Sequence, residues 1–181
     1  MADLRESFKI VLLCIVAAVV YGVCNDMVTA HISVEYFSVH HPPVLGGTGN
    51  PILLALVWGV IATWWTGLLL GLLIAPTARL GSEPKLSTKQ LVVPVMTLMA
   101  FVLVTSALVG IAGWLDADVV RTVLSDDDLL DIAPERRDRF RAVFATHSAA
   151  YTMAVFGTLV LCVWIVLRRY QGQSSDESMS V

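Results

Sequence analysis

The chain has 181 residues, of which 56% are hydrophobic and 15% charged, and its formal net charge is −3. Soluble domains average about 45–50% apolar and about 25% charged, so this composition, with a mean hydropathy of +0.74, lies on the membrane side. The small charge and the lack of a basic stripe with interleaved aromatics speak against a nucleic-acid partner. Cys14, Cys24 and Cys162 form no CxxC and no metal-ligand spacing, which speaks against cysteine redox chemistry.

The apolar residues fall in four blocks, which predicts an all-α integral membrane four-helix bundle with spans at about 8–30, 51–74, 91–115 and 147–167. Each block supplies roughly 20 residues, enough at about 1.5 Å per residue to cross a hydrocarbon core of about 30 Å. A bilayer forces the backbone to satisfy its own hydrogen bonds, so the spans are helices. The first block is preceded by Arg5 and Lys9, as a signal peptide would be, but Gly22-Val23-Cys24 is a poor cleavage site and no lipobox is present. An uncleaved first span is therefore expected, within a single transmembrane domain covering 1–170.

Lys and Arg set the orientation. Arg5 and Lys9 precede span one, Arg79, Lys85 and Lys89 lie between spans two and three, and Arg168 and Arg169 follow span four. The loop after span one has none, and 116–146 holds five arginines against eight acids. The chain is read as N-in and C-in, a multi-pass protein of the bacterial inner membrane. The outward segment 116–146 is expected to contain short helices. One of them begins at Pro134, runs into span four, and lays an apolar face of Phe140, Val143, Phe144 and His147 along the membrane surface. The polar tail 171–181 is expected to be disordered.

The chemistry-bearing stretch is NDMVTAHISVEYFSVHHPP, Asn25 to Pro43. On this topology Asp26, His31, Glu35, His40 and His41 lie at the outward rim, and His147 enters span four from the same side. All four histidines thus share one membrane face. His31 and Glu35 are four residues apart and share a helix face. Imidazoles with one or two carboxylates suit a divalent transition metal, so the candidate ligands are Glu35, His41, His147, His31 and Asp26. The same groups could instead relay protons. Against both stands an ordinary interfacial pair with a solvated His40-His41 loop, because HxxxE is not the HExxH of a zinc protease. A carboxylate at mid-bilayer costs about 2.5–3.5 kcal/mol and less toward the interface, so Asp26 matters most if it faces the bundle.

Other features point to packing. Gly67 and Gly71, and Gly110 with Gly113, let helices approach closely, first within the bundle and secondarily between copies. Trp64 and Trp65 fall mid-span, where bulk packing is the expected role, while Tyr36 and Trp114 read as interfacial belt residues. Asp126-Asp127-Asp128 lacks the spacing and glycine of a calcium loop, and after Ser125 reads as a helix start. No broken-helix pair of the transporter kind is visible.

The run YGVCNDMVTAHISVEYFSVHHP, Tyr21 to Pro42, with LVWGVIATWWTGLLLG, Leu56 to Gly71, resembles an uncharacterised family of small bacterial membrane proteins. In that likeness Asp26, Thr29, Glu35, Tyr36, Phe37, His41 and Pro42 occupy the first motif, and Trp58, Gly59, Trp64 and Trp65 the second. The resemblance covers about the first half of the chain and implies no activity. It implies a basic residue at position 31, which makes Glu35 with His41 the firmer ligand pair.

Three functions follow as expectations. The first is an outward metal or cofactor site, which requires Glu35, His41 and His147 to converge. The second is a non-catalytic accessory subunit, partnered in the bilayer by its own copies or by a larger membrane complex. The third is proton or ion conduction through an inward-facing Asp26.

Overall fold

The computed structural model describes residues 2–81, 84–115 and 117–179, and among them the chain is helical with no strand. The helices are α1 (Ala2–Ile32), α2 (Val34–Ser38), α3 (Pro51–Ile61), α4 (Trp64–Arg79), α5 (Thr88–Leu115), α6 (Ala117–Arg121) and α7 (Arg137–Met179). Four stretches are long and apolar enough to cross a membrane: Asp3–Ile32, Pro51–Arg79, Thr88–Leu115 and Pro134–Gly172. α1 packs along α3 and α4 on one side and α5 on the other, α5 packs along α7, and α4 meets α7, which closes the bundle.

Glycine makes the closest of these contacts. A Cβ on Gly67 would lie 2.7 Å from the Cys14 carbonyl oxygen and from Ile15 Cα, and one on Gly71 would lie 2.8 Å from Val11 Cα. Gly59 faces the Val23 backbone at 2.7 Å in the same way. Gly110 and Gly113 admit Thr146, Ala142 and Ala145 of α7. Both small-residue pairs are therefore consumed inside the bundle, where backbones pack by van der Waals contact.

The second span is not one continuous helix. It breaks at Ala62–Thr63, where the Thr63 N–H turns to the Val60 carbonyl at 3.3 Å and the Thr63 hydroxyl donates to the Gly59 carbonyl. Threonine back-bonding of this kind competes with the helical ladder. The Ala62 carbonyl accepts instead from the Tyr151 hydroxyl of α7 at 3.2 Å. No proline or glycine sits at the break, so sequence offered no warning of it. Asn50 starts α3 by accepting from the Ile52 and Leu53 amides at 3.0 and 3.3 Å, with Pro51 in the first turn.

The two ends of the bundle differ. At one, Asp3 pairs with Arg79 and Lys85, Glu6 accepts from the Thr88 hydroxyl at 2.9 Å, and Arg169 donates to the carbonyls of Thr77, Leu80 and Pro84. Above it an apolar core of Ile10, Ile74, Leu91, Val95 and Ile165, each at most 1% exposed, fills the bundle. At the other end a second core joins Tyr36, Phe37, Trp58, Phe140 and Val143. Phe140 and Val143 thus face the bundle, not a membrane surface, because α2 folds back over them and offers an aromatic partner. α7 runs unbroken through this region.

Buried Arg141, 1% exposed, ties the excursion between α5 and α7 down by donating to the Leu124 carbonyl at 3.0 Å and pairing with Asp126 and Asp138. Asp128 accepts from the Ser125 amide at 2.9 Å and hydroxyl at 2.7 Å at the head of a one-turn 3-10 helix, Asp127–Leu129. Trp64 and Trp65 lie on the outer face, 48% and 43% exposed, and line no internal cavity. α7 runs to Met179, into the polar tail that begins at Gln171. Residues 180 and 181 of that tail lie outside the described residues.

The glycine seam sets a test. Gly67→Ala should destabilise the purified protein in detergent by about 1–3 kcal/mol, because the new methyl meets α1 backbone. Gly49→Ala, with no atom within 4 Å of its Cβ position, should change stability by less than about 0.5 kcal/mol. Thermal unfolding of the two variants measures the contrast.

Candidate functional site

The last turns of α1 bury a polar run: Asn25, Asp26 and Thr29 are 6%, 4% and 4% exposed. Thr29 spends its hydroxyl on the Asn25 carbonyl at 3.1 Å. Asp26 faces the bundle, where its Oδ1 lies 3.1 Å from His147 Nε2 and accepts from Asn25 Nδ2 at 3.2 Å. His147 Nδ1 lies 2.9 Å from the Val143 carbonyl oxygen.

These contacts determine how many protons the pair holds. A carbonyl only accepts, so His147 Nδ1 carries a hydrogen. The bond between Nε2 and Asp26 then needs one further proton, held either by the carboxyl or by the imidazole. Both forms, carboxylic acid with neutral imidazole and carboxylate with imidazolium, are neutral as a pair. A neutral pair is the inexpensive state for two ionisable groups taken out of water.

α1 ends at Ile32, and α2 turns back across the bundle mouth. It lays the Tyr36 ring on His147, centroids 4.5 Å apart at 28°, and sets Phe37 edge-on at 5.7 Å. The backbone then brings His41 alongside: its Nδ1 donates to the Tyr36 carbonyl at 2.7 Å, and its ring lies 4.6 Å from that of Trp58. Burial pushes the His41 imidazole below 6.5, against the upward pull of the Tyr36 carbonyl. It is therefore neutral at pH 7, with a lone pair on Nε2. Burial likewise raises the Tyr36 phenol, which keeps its proton.

Beneath this aromatic roof lies a cavity of about 100 Å³. Asp26, His147, His41 and Trp58 line its upper part, and Ala18, Leu70 and Met99 its floor. Along α1 the lining runs from Asp26 to Ala18, roughly 12 Å. Below the floor the apolar core is closed.

The five candidate ligands divide. Asp26, His147 and His41 share the cavity. Glu35 does not: it pairs with Arg136 and accepts from the Ser33 hydroxyl at 3.0 Å. Burial raises the Glu35 carboxyl, but these bonds outweigh it and hold the group below 4.5. His31 is exposed and donates Nδ1 to the Met27 carbonyl at 2.7 Å. Of Glu35 and His41, the pair that the motif resemblance made firmer, only His41 lines the cavity, while Glu35 is engaged by Arg136. Among the described residues no three His, Cys, Asp or Glu side chains are grouped to hold a metal ion.

Several cavity residues are not apparent from sequence. Tyr36, expected in the interfacial belt, is 7% exposed and covers the pair. Asn25 could have been noticed only as the neighbour of Asp26. Nothing marks Tyr151, or the contact between the Tyr21 and Ser106 hydroxyls at 3.2 Å. Trp114 is 49% exposed, with the Arg139 guanidinium 5.9 Å from its ring centre.

Because Glu35 titrates below 4.5 in the fold, its contribution to stability is complete above that value and is lost as pH falls through the folded one. Arg136 is 61% exposed, so solvent screening keeps the contribution of the pair small. Arg136→Gln should therefore lower the melting temperature slightly at neutral pH. It should also flatten the acid limb of a melting series taken between about pH 3 and 7.

No protein-family model, no curated protein and no solved structure matches the chain.

Proposed function

We propose that the chain is an integral membrane protein whose working centre is the cavity under α2, where the Asp26–His147 pair gains and releases one proton as a small ligand binds. The single observation that carries this reading is the buried 3.1 Å contact between the two groups at a cavity wall. An ionisable residue within a membrane span is costly unless partnered, and such residues mark binding sites and proton relays.

The four long apolar helices support membrane residence. So do the outer faces, where Leu12, Val16, Val20, Leu72, Leu108, Val155 and Leu159 are each at least 48% exposed. A contiguous apolar surface of that kind suits hydrocarbon. The gathering of Arg79, Lys85 and Arg169 with the N-terminus at one end supports placing both termini in the cytoplasm of a bacterial cell. The cavity then faces outward.

Passive conduction has less support, since the closed core of Ile10, Ile74, Leu91, Val95 and Ile165 separates the pair from the other end. The accessory-subunit reading loses its small-residue docking faces to internal packing. A metal centre built on Glu35 would need that side chain to leave Arg136.

Infrared difference spectroscopy between acid and alkaline pH tests the proposal. Among the carboxyl bands that differ between the two spectra, one should vanish in Asp26→Asn and shift in His147→Gln. A spectrum with no such band, or one that survives Asp26→Asn, would overturn it. Removing His147 alone (His147→Leu) should destabilise the fold by about 1–3 kcal/mol, as Asp26 loses its buried partner, and Asp26→Leu together with His147→Leu should recover part of that loss.

A further inference from the structure

The cavity wall is thin between the second and fourth spans. Tyr151 of α7, with Ala62, Thr63 and Thr66 at the break in the second span, lines the cavity. None of the four is buried, and Tyr151 is 36% exposed. The Tyr151 ring also stacks on that of Trp65, centroids 6.1 Å apart at 21°, and Trp65 is 43% exposed and outside the cavity lining. One side chain thus stands between the cavity and the outer face. α4 packs along α7 but α3 does not, so the two spans part on the α2 side of the break.

The bond that closes this wall is easily spared. The Tyr151 hydroxyl donates to the Ala62 carbonyl at 3.2 Å, and the same carbonyl accepts from the Thr66 hydroxyl at 3.5 Å. Swinging Tyr151 outward therefore breaks one hydrogen bond and leaves no carbonyl orphaned. The face it would swing into is apolar, with Trp65, Leu69 and Val155 each at least 43% exposed. The interior matches that face: Ala18, Leu70, Met99, Val102, Ala150 and Ala154 line the cavity. Its volume of about 100 Å³ is of the order of the engineered cavity of about 150 Å³ that accepts benzene.

We propose that the ligand of this cavity is a lipid-soluble molecule the size of one aromatic ring, which enters sideways from the bilayer between Tyr151 and the break at Ala62–Thr63. This rests on reading the cavity as a ligand site within a membrane. Tyr151 is the gate, and α2 stays closed over the Asp26–His147 pair while the ligand passes. Hydrocarbon supplies such a molecule and holds back charged ones.

The test places the full chain in lipid nanodiscs with para-fluorotoluene and follows exchange between free and bound probe by fluorine NMR. Protein-free discs and Ala150→Leu, which narrows the cavity, report partition into lipid. Tyr151→Phe should raise the association and dissociation rates together by about fivefold, the effect of one lost hydrogen bond, and leave the affinity unchanged. Arg136→Gln, which frees α2 from its ion pair with Glu35, should change neither rate. Rates that ignore Tyr151→Phe, or that rise in Arg136→Gln, overturn the lateral gate and leave the cavity a ligand site. A bound signal from para-fluorobenzoate, similar in size but charged, overturns the lipid-soluble class. No bound para-fluorotoluene above the level of protein-free discs overturns the ligand site itself.

Discussion

Asp26 and His147 stand 121 positions apart in sequence and 3.1 Å apart in space, and the outer half of the bundle is arranged around that contact. An ionisable side chain among apolar helices is tolerable only when its charge and hydrogen-bonding capacity are met. Here each group supplies what the other lacks, and Asn25 and the Val143 carbonyl complete the set. The first and last spans must therefore meet at this height and in this rotation. Tyr36 stacks on the imidazole and shields it.

Two other devices hold the geometry. Glycines at 59, 67 and 71 bring α1 and the second span to backbone contact, which fixes the rotation of α1 and so the direction of Asp26. The break at Ala62–Thr63 bends the second span beside the cavity, and its freed carbonyl is held by Tyr151. The bundle is thus densely closed at one end and hollow at the other. That asymmetry sets the pair on the wall of the cavity together with Trp58 and His41.

Much of the architecture is legible in the sequence because apolar blocks of this length, long enough to cross a membrane, form few elements other than long helices. The four long apolar helices, the tight helix contacts and the gathering of Arg79, Lys85 and Arg169 at one end follow from block length, small residues and charge. The interest of Asp26 was also legible, since a carboxylate beside a span is conspicuous. The grouping around it was not. His31 and Glu35 share a face by spacing, yet α1 ends at Ile32 and Ser33 adopts extended backbone, which sends Glu35 to Arg136. The break at Ala62–Thr63 arises from a hydroxyl and from neighbouring helices, with no proline or glycine to announce it.

The sequence by itself determined that the chain forms apolar helices of membrane-crossing length, how many there are, and which end of each carries charge. Tertiary structure alone decided which side of each helix faces its neighbours. In an ordinary amphipathic helix that side is written as an apolar stripe, but these helices are apolar on their exposed faces as well as their buried ones, so their inward faces carry no compositional mark. Only the packing of glycine on backbone and the pairing of one buried acid with one imidazole could select them, and those partners lie on helices that the chain order keeps far apart.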